Sequence, residues 1–231
     1  MKAYIIGDRD NPVSVRGMNG CASSMAELKQ DFTIQFVQQT SPDTLAEHMQ
    51  PFPGLYWNYP LNSATKTDEA TGMILEGYRT NSMLKEFACL ISHARLWLRC
   101  VQMNEPIMVF EHDAKMTRHF DPDFEWEGGV LGLNDPRGAT FNSAQYHLLI
   151  ANKGPGVHNA PYVADVSRPQ GLAGNSAYII KPFAATELLE KLKETGGWPN
   201  DALMCKQHFD WIKVLYPYAT GLQNVRSTTT L

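Results

Sequence analysis

The chain has 231 residues, 43% hydrophobic and 19% charged, with a formal net charge of -4. That length supports one sizeable core, the composition excludes a disordered chain, and the charge gives no global attraction to nucleic acid or an anionic membrane. Lack of an apolar run near twenty residues excludes a spanning helix, and the run in MKAYIIGDRD is too short for a signal peptide, so a cytoplasmic protein without an integral membrane segment is expected.

Residues 3 to 7, AYIIG, read as a strand closed by Gly7 and the charged Asp8-Arg9-Asp10. Cys21 opens a set of four scattered cysteines with Cys89, Cys100 and Cys205; no CxxC pair occurs, so reduced, buried thiols are expected rather than a zinc site or disulfides. Ser23 to Lys29 reads as helix, and Phe32 to Gln39 alternates apolar and polar residues as a half-buried strand does. The opening is βαβ-like. Residues 50 to 67, rich in Pro and aromatics, read as an irregular loop whose rings either pack on the domain or stack on a sugar or base.

From Met83 to Met103 the pattern is helical, with Leu90, Ala94, Trp97 and Val101 in one apolar stripe. PIMVFEHDAK follows from Pro106: four consecutive apolar residues predict a buried strand of a mostly parallel sheet, ending in Glu111, His112 and Asp113. Acids there would lie at the carboxyl end of the strand, in the crevice where open α/β sheets bind ligands, and would suit Mg²⁺ or Mn²⁺. The plain alternative is a strand ending in solvent.

Phe120 to Ala160 reads as short strands and loops, with apolar runs at Val130 to Leu133 and Tyr146 to Ile150. GNSAYIIKP from Gly174 holds another strand, Pro182 opens an amphipathic helix through Leu188, Leu189 and Leu192, and Gly196-Gly197 ends it. The loop WPND follows, and Asp201 stands where it can cap a helix over ALMCKQHF. His208 and Asp210 are expected on that same helix. The tail VRSTTTL is polar and expected to be mobile.

In order and spacing, ACLISHARLWLRCVQ, PIMVFEHDA, GNSAYIIKPFAATELL and PNDALM resemble the family 25 glycosyltransferases, which include lipooligosaccharide and collagen galactosyltransferases. The resemblance covers roughly residues 84 to 220 and implies one GT-A-like (Rossmann-like) α/β domain over residues 1–231, transferring a sugar with inversion and metal assistance from a UDP-sugar, such as a UDP-hexose, to a hydroxyl of a glycan or lipopolysaccharide-type acceptor. The family's version of PIMVFEHDA usually ends Glu-Asp-Asp; this chain keeps Glu111 and Asp113 but has His112 at the centre, which cannot supply the missing charge.

The resemblance implies Asp113 on Mn²⁺ or Mg²⁺ and the diphosphate, with Glu111 or His112 facing the nucleoside, and Asp201 as the base. Glu111 is also a candidate metal ligand, as is His208. His93, Asn175 and Ser176 are candidate donor contacts, with His93 alternatively packing within the core. Arg9 or Arg16 is a candidate for the phosphates, since Arg pairs well with them. Two further readings stay open: transfer to a modified, hydroxymethylated base in DNA, and a nucleotide-binding relative without catalysis, motivated by His112.

Overall fold

The computed structural model describes residues 1–80, 82–139, 142–223 and 225. The described chain runs β1 (Lys2–Gly7), α1 (Pro12–Glu27), β2 (Thr33–Gln38), α2 (Leu45–His48), β3 (Thr65–Thr67), β4 (Ile74–Glu76), α3 (Met83–Met103), β5 (Ile107–Glu111), β6 (Ala114–Met116), β7 (Val130–Gly132), α4 (Ser143–Ala151), β8 (Gly156–Asn159), β9 (Ala177–Ile180), α5 (Pro182–Thr195), α6 (Asn200–Leu203), β10 (Ile212–Tyr216) and β11 (Thr220–Leu222). Seven strands form the central sheet in the order β2-β1-β5-β9-β7-β10-β8. Five of them, β2, β1, β5, β7 and β10, point one way, while β9 and β8 run against them. Helices cover both faces, as the apolar runs of β1, β5 and β9 require.

Alternation along the strands divides the core. Ala3, Ile5, Met108 and Phe110 meet Met18, Cys21 and Met25 of α1 on one face. Tyr4, Ile6, Ile107 and Val109 meet Leu90, Ala94 and Trp97 of α3 and Leu188 and Leu192 of α5 on the other. Each Leu, Ile, Val, Phe or Met among them, fully buried, stabilises by about 1.5–3 kcal/mol. No helix among the described residues is long and apolar enough to cross a membrane.

Several expectations change. Helix α1 begins at Pro12, eleven residues before Ser23, because Asn11 accepts a hydrogen bond from the Val13 amide (2.9 Å) and Pro12 fits the first turn. Tyr146 to Ile150 belongs to α4 rather than a strand, its Tyr146 and Ile150 facing inward one helical turn apart. The helix expected over ALMCKQHF stops at Leu203, so His208 and Asp210 lie in the following turns and not on the helix of Asp201. Of the tail VRSTTTL, residues 226–231 lie outside the described residues.

Direction matters for what reaches one edge. β5 ends at Glu111, while β9, antiparallel to it, starts there: Phe110 pairs with Ala177, and the Glu111 amide donates to the Ser176 carbonyl at 2.8 Å. One edge thus collects the end of β1 with Asp8, the end of β5, and the residues that precede β9.

Candidate active site

Along α3, Glu86, Cys89 and His93 recur at spacings of three and four, a polar line on a helix that is otherwise largely core. The helix is held at its start by Ser82, whose hydroxyl accepts from the Lys85 amide (3.3 Å). It is tied to the end of β2 by Ser92, which accepts from the Thr40 amide (2.8 Å) and donates to the Ala88 carbonyl (2.9 Å). This placement brings the polar line onto the end of β5, with His93 Nε2 3.2 Å from Glu111 Oε1.

A chain of hydrogen bonds orients that histidine. Trp97 Nε1 donates to the Tyr178 hydroxyl (2.9 Å), which lies 2.9 Å from His93 Nδ1, and all three side chains are buried. Trp97 can only donate, so the Tyr178 hydroxyl donates its hydrogen bond to Nδ1 and the network assigns the imidazole hydrogen to Nε2, facing Glu111. His93 also stacks on Tyr178, with ring centroids 5.8 Å apart.

The turn after Glu111 is clamped from two sides. Gln223 donates its backbone amide to the Asp113 carbonyl (2.6 Å), and its Nε2 stands 2.8, 3.0 and 2.8 Å from the carbonyls of Gly17, His112 and Ala114. From α1, Gly17 approaches so closely that a Cβ there would fall 2.5 Å from the His112 carbonyl oxygen. Asp113 is held with its Oδ1 buried and without a hydrogen-bond partner among the described residues. Burial, and then the charge of Glu111, push its carboxyl up to about 7.

Asp201 stands on α6, where its Oδ1 accepts from the Tyr78 hydroxyl (3.0 Å) and from the Ala202 amide (3.0 Å). Pro199, not Asp201, occupies the cap position. Burial raises the Asp201 carboxyl, Tyr78 opposes that, and the charge of Glu111 adds to it. Glu86 is likewise raised, by burial and then by Asp201. Cys89 lies within the field of Glu111, Glu86, Asp201 and Asp113, and burial followed by those charges drives its thiol well above the ordinary range.

Two cavities open beside these groups. One, of about 260 Å³, is lined by Asp8, Thr40, Lys85, Cys89, His93 and Glu111 among others. The second, of about 380 Å³, is lined by Tyr59, Tyr78, Tyr146, Arg168, Gln170 and Asp201 among others.

Most of the residues singled out in the sequence converge, and a few do not. Glu111, His112 and His93 line the first cavity. Asn175 and Ser176 are buried beside Glu111, with Asn175 Oδ1 and Ser176 Oγ lacking a partner among the described residues. Arg9 directs its Nη2 to the Phe36 carbonyl (3.0 Å), and Arg16 is exposed on α1; neither lines the cavity, and Lys85 is the cation that does. His208 lines a separate cavity with Thr71, Lys191 and Glu194, its Nδ1 donating to the Leu203 carbonyl (3.3 Å), so the expected metal role beside Asp113 is not met by its position. Cys89 and Lys85 were missed. The spacing of Glu86, Cys89 and His93 was a signal for the first, since a polar line on a buried helix needs partners.

A family model described as glycosyltransferase family 25 (LPS biosynthesis protein) matches residues 27–126. The matched segment, under half of the chain, is thus similar to that family. It carries β2, α3 and β5, and with them Cys89, His93, Glu111 and Asp113; Asp201 lies beyond it. No curated protein matches the chain. Among solved structures, the apo form of a bifunctional glycosyltransferase, WbbM, has 10% identity and a TM-score of 0.44, covering 96% of this chain and 38% of its own. The apo form of mouse xyloside xylosyltransferase 1 has 11% identity and a TM-score of 0.38, covering 89% of this chain and 81% of its own. The chain therefore spans well under half the length of WbbM.

Proposed function

We propose that this chain is a glycosyltransferase with one GT-A-like domain, working in the cytoplasm, that moves a hexose from a UDP-sugar to a hydroxyl of a glycan or lipopolysaccharide-type acceptor. The observation that carries this reading is the meeting of Glu111, Asp113 and the α3 line at the sheet edge, within the segment that matches family 25. In the proposed arrangement the nucleotide lies in the cavity at the ends of β1 and β5, with Lys85 as a countercharge to its diphosphate, and the acceptor enters the cavity of Tyr59, Tyr78 and Asp201.

The residues fit a hard divalent cation: Asp113 offers a buried oxygen without a partner and Glu111 a second carboxylate close enough to raise it. Mn²⁺ or Mg²⁺ held by Asp113 and Glu111 would stabilise the negative charge that develops on the leaving diphosphate. Asp201 takes the proton of the acceptor hydroxyl as the new bond to the anomeric carbon forms and the bond to the diphosphate breaks. Attack opposite the leaving group inverts that carbon. Its raised carboxyl suits a base, since a stronger base takes the proton more readily. Tyr78 fixes its direction.

Nucleotide sugars screened by thermal shift and by donor hydrolysis, with and without Mn²⁺, test the proposal. A UDP-sugar should raise the melting temperature, and Asp113→Asn should cut transfer about 10²–10³-fold with the fold intact. Absence of both UDP binding and sugar release would overturn it; binding without release would favour the non-catalytic reading.

A further inference from the structure

Cys89, His93 and Glu111 bring one sulfur, one nitrogen and one oxygen within 4.8 Å of one another. Cys89 and His93 are one turn apart on α3, so both project from the same face, and Glu111 comes to them from a rigid strand end. We infer that these three side chains form a site for a thiophilic divalent cation of the Zn²⁺ class, open to the cavity at the end of β5.

The donor set decides the class of ion. Thiolate and imidazole select Zn²⁺ or Co²⁺, whereas Mg²⁺ and Mn²⁺ prefer oxygen throughout. Neighbouring ligands in a tetrahedral site with bonds of about 2.0–2.3 Å stand roughly 3.2–3.8 Å apart. His93 Nε2 and Glu111 Oε1, at 3.2 Å, already do. Three protein ligands and one open position form an accessible site, and the adjoining cavity supplies the entry path.

The surroundings fit too. The second nitrogen of His93 is engaged by Tyr178, itself held by Trp97, the kind of support that fixes a ligating imidazole. On binding, Nε2 loses its proton to solvent and offers the freed lone pair to the cation, Nδ1 takes up a proton and donates its N–H to the Tyr178 oxygen, and the imidazole stays neutral. The Cys89 proton leaves to solvent, so one proton is released per ion. Occupancy would also withdraw Glu111 from the hard cation of the transfer reaction. The site does not depend on sugar transfer, and a chain inactive on every donor would still bind.

Co²⁺ is the probe, because a cobalt–thiolate bond gives a charge-transfer absorption that nitrogen and oxygen ligands do not. The full chain, reduced and stripped with a chelator, should develop that band with one equivalent of Co²⁺, and Zn²⁺ but not excess Mg²⁺ should abolish it. Cys89→Ser should remove the band and Cys205→Ser retain it. Glu111→Gln, at a partly exposed strand end, should weaken Co²⁺ binding at least tenfold with melting unchanged. No band in the wild type, a band that survives in Cys89→Ser, or unchanged affinity in Glu111→Gln overturns the inference.

Discussion

The two cavities are built on different principles. Around Glu111 the walls are strand ends and a long helix, and His93 is fixed by a buried chain of hydrogen bonds through Tyr178 to Trp97. Around Asp201 they come mainly from connecting segments, residues 59, 77–78 and 161–173, with the three-residue β4, the short α6 and the first turn of α4 added. Loops accept change more readily than the elements they join. Under the proposed function, this difference matches the constant half of the reaction, the nucleotide, with the rigid cavity and the variable half, the acceptor, with the looped one.

That division can be broken by experiment. Asp201→Asn should lower transfer about 10²–10⁴-fold while UDP binding, measured by calorimetry, stays at the wild-type level; a matched loss of UDP affinity would erase the boundary between the cavities. Tyr78→Phe removes a hydrogen bond that favours the ionised Asp201, so the carboxyl rises further. The acid limb of the rate–pH profile should then move to higher pH, with donor KM unchanged. An unmoved limb would take Asp201 out of the base role.

On the rigid side the effect is on stability and smaller. Asp113, raised to about 7, binds a proton in the folded chain over a range in which the unfolded chain has released it. Its contribution is therefore complete below the ordinary carboxylate range and is lost as pH rises from about 4 through 7. In chelator-treated buffer, denaturant titrations of wild type and Asp113→Asn should diverge across that window by about 1–4 kcal/mol, the wild type losing more. Parallel curves would mean that Asp113 is solvated.

What could be read from the residues follows from how burial writes itself into sequence. AYIIG, PIMVF and AYII were legible as strands because two covered faces leave no polar position. The direction of β9 was not, since an apolar run reads alike from either end. Nor was α4: YHLLI fits a strand or a turn of helix equally, and periodicity cannot arbitrate over five residues. The front of α1 was hidden by Gly17, Gly20 and several serines, weak helix formers that packing overrides, although Asn11 and Pro12 marked its start. For the site, the acids announced themselves by ending an apolar strand. Cys89 showed only in its spacing with Glu86 and His93, because a thiol in a buried helix otherwise reads as core until the partners from β5 are seen.

Gly17 lies in the middle of a helix, where glycine weakens the helix by about 1 kcal/mol relative to alanine. Its lack of a side chain lets α1 press against the turn that aims Asp113, so the aim of that carboxylate is inherited from an atom that is absent, 96 positions upstream. A mutational scan of α1 would record position 17 as if it belonged to the candidate site, although Gly17 does not line the cavity at Glu111.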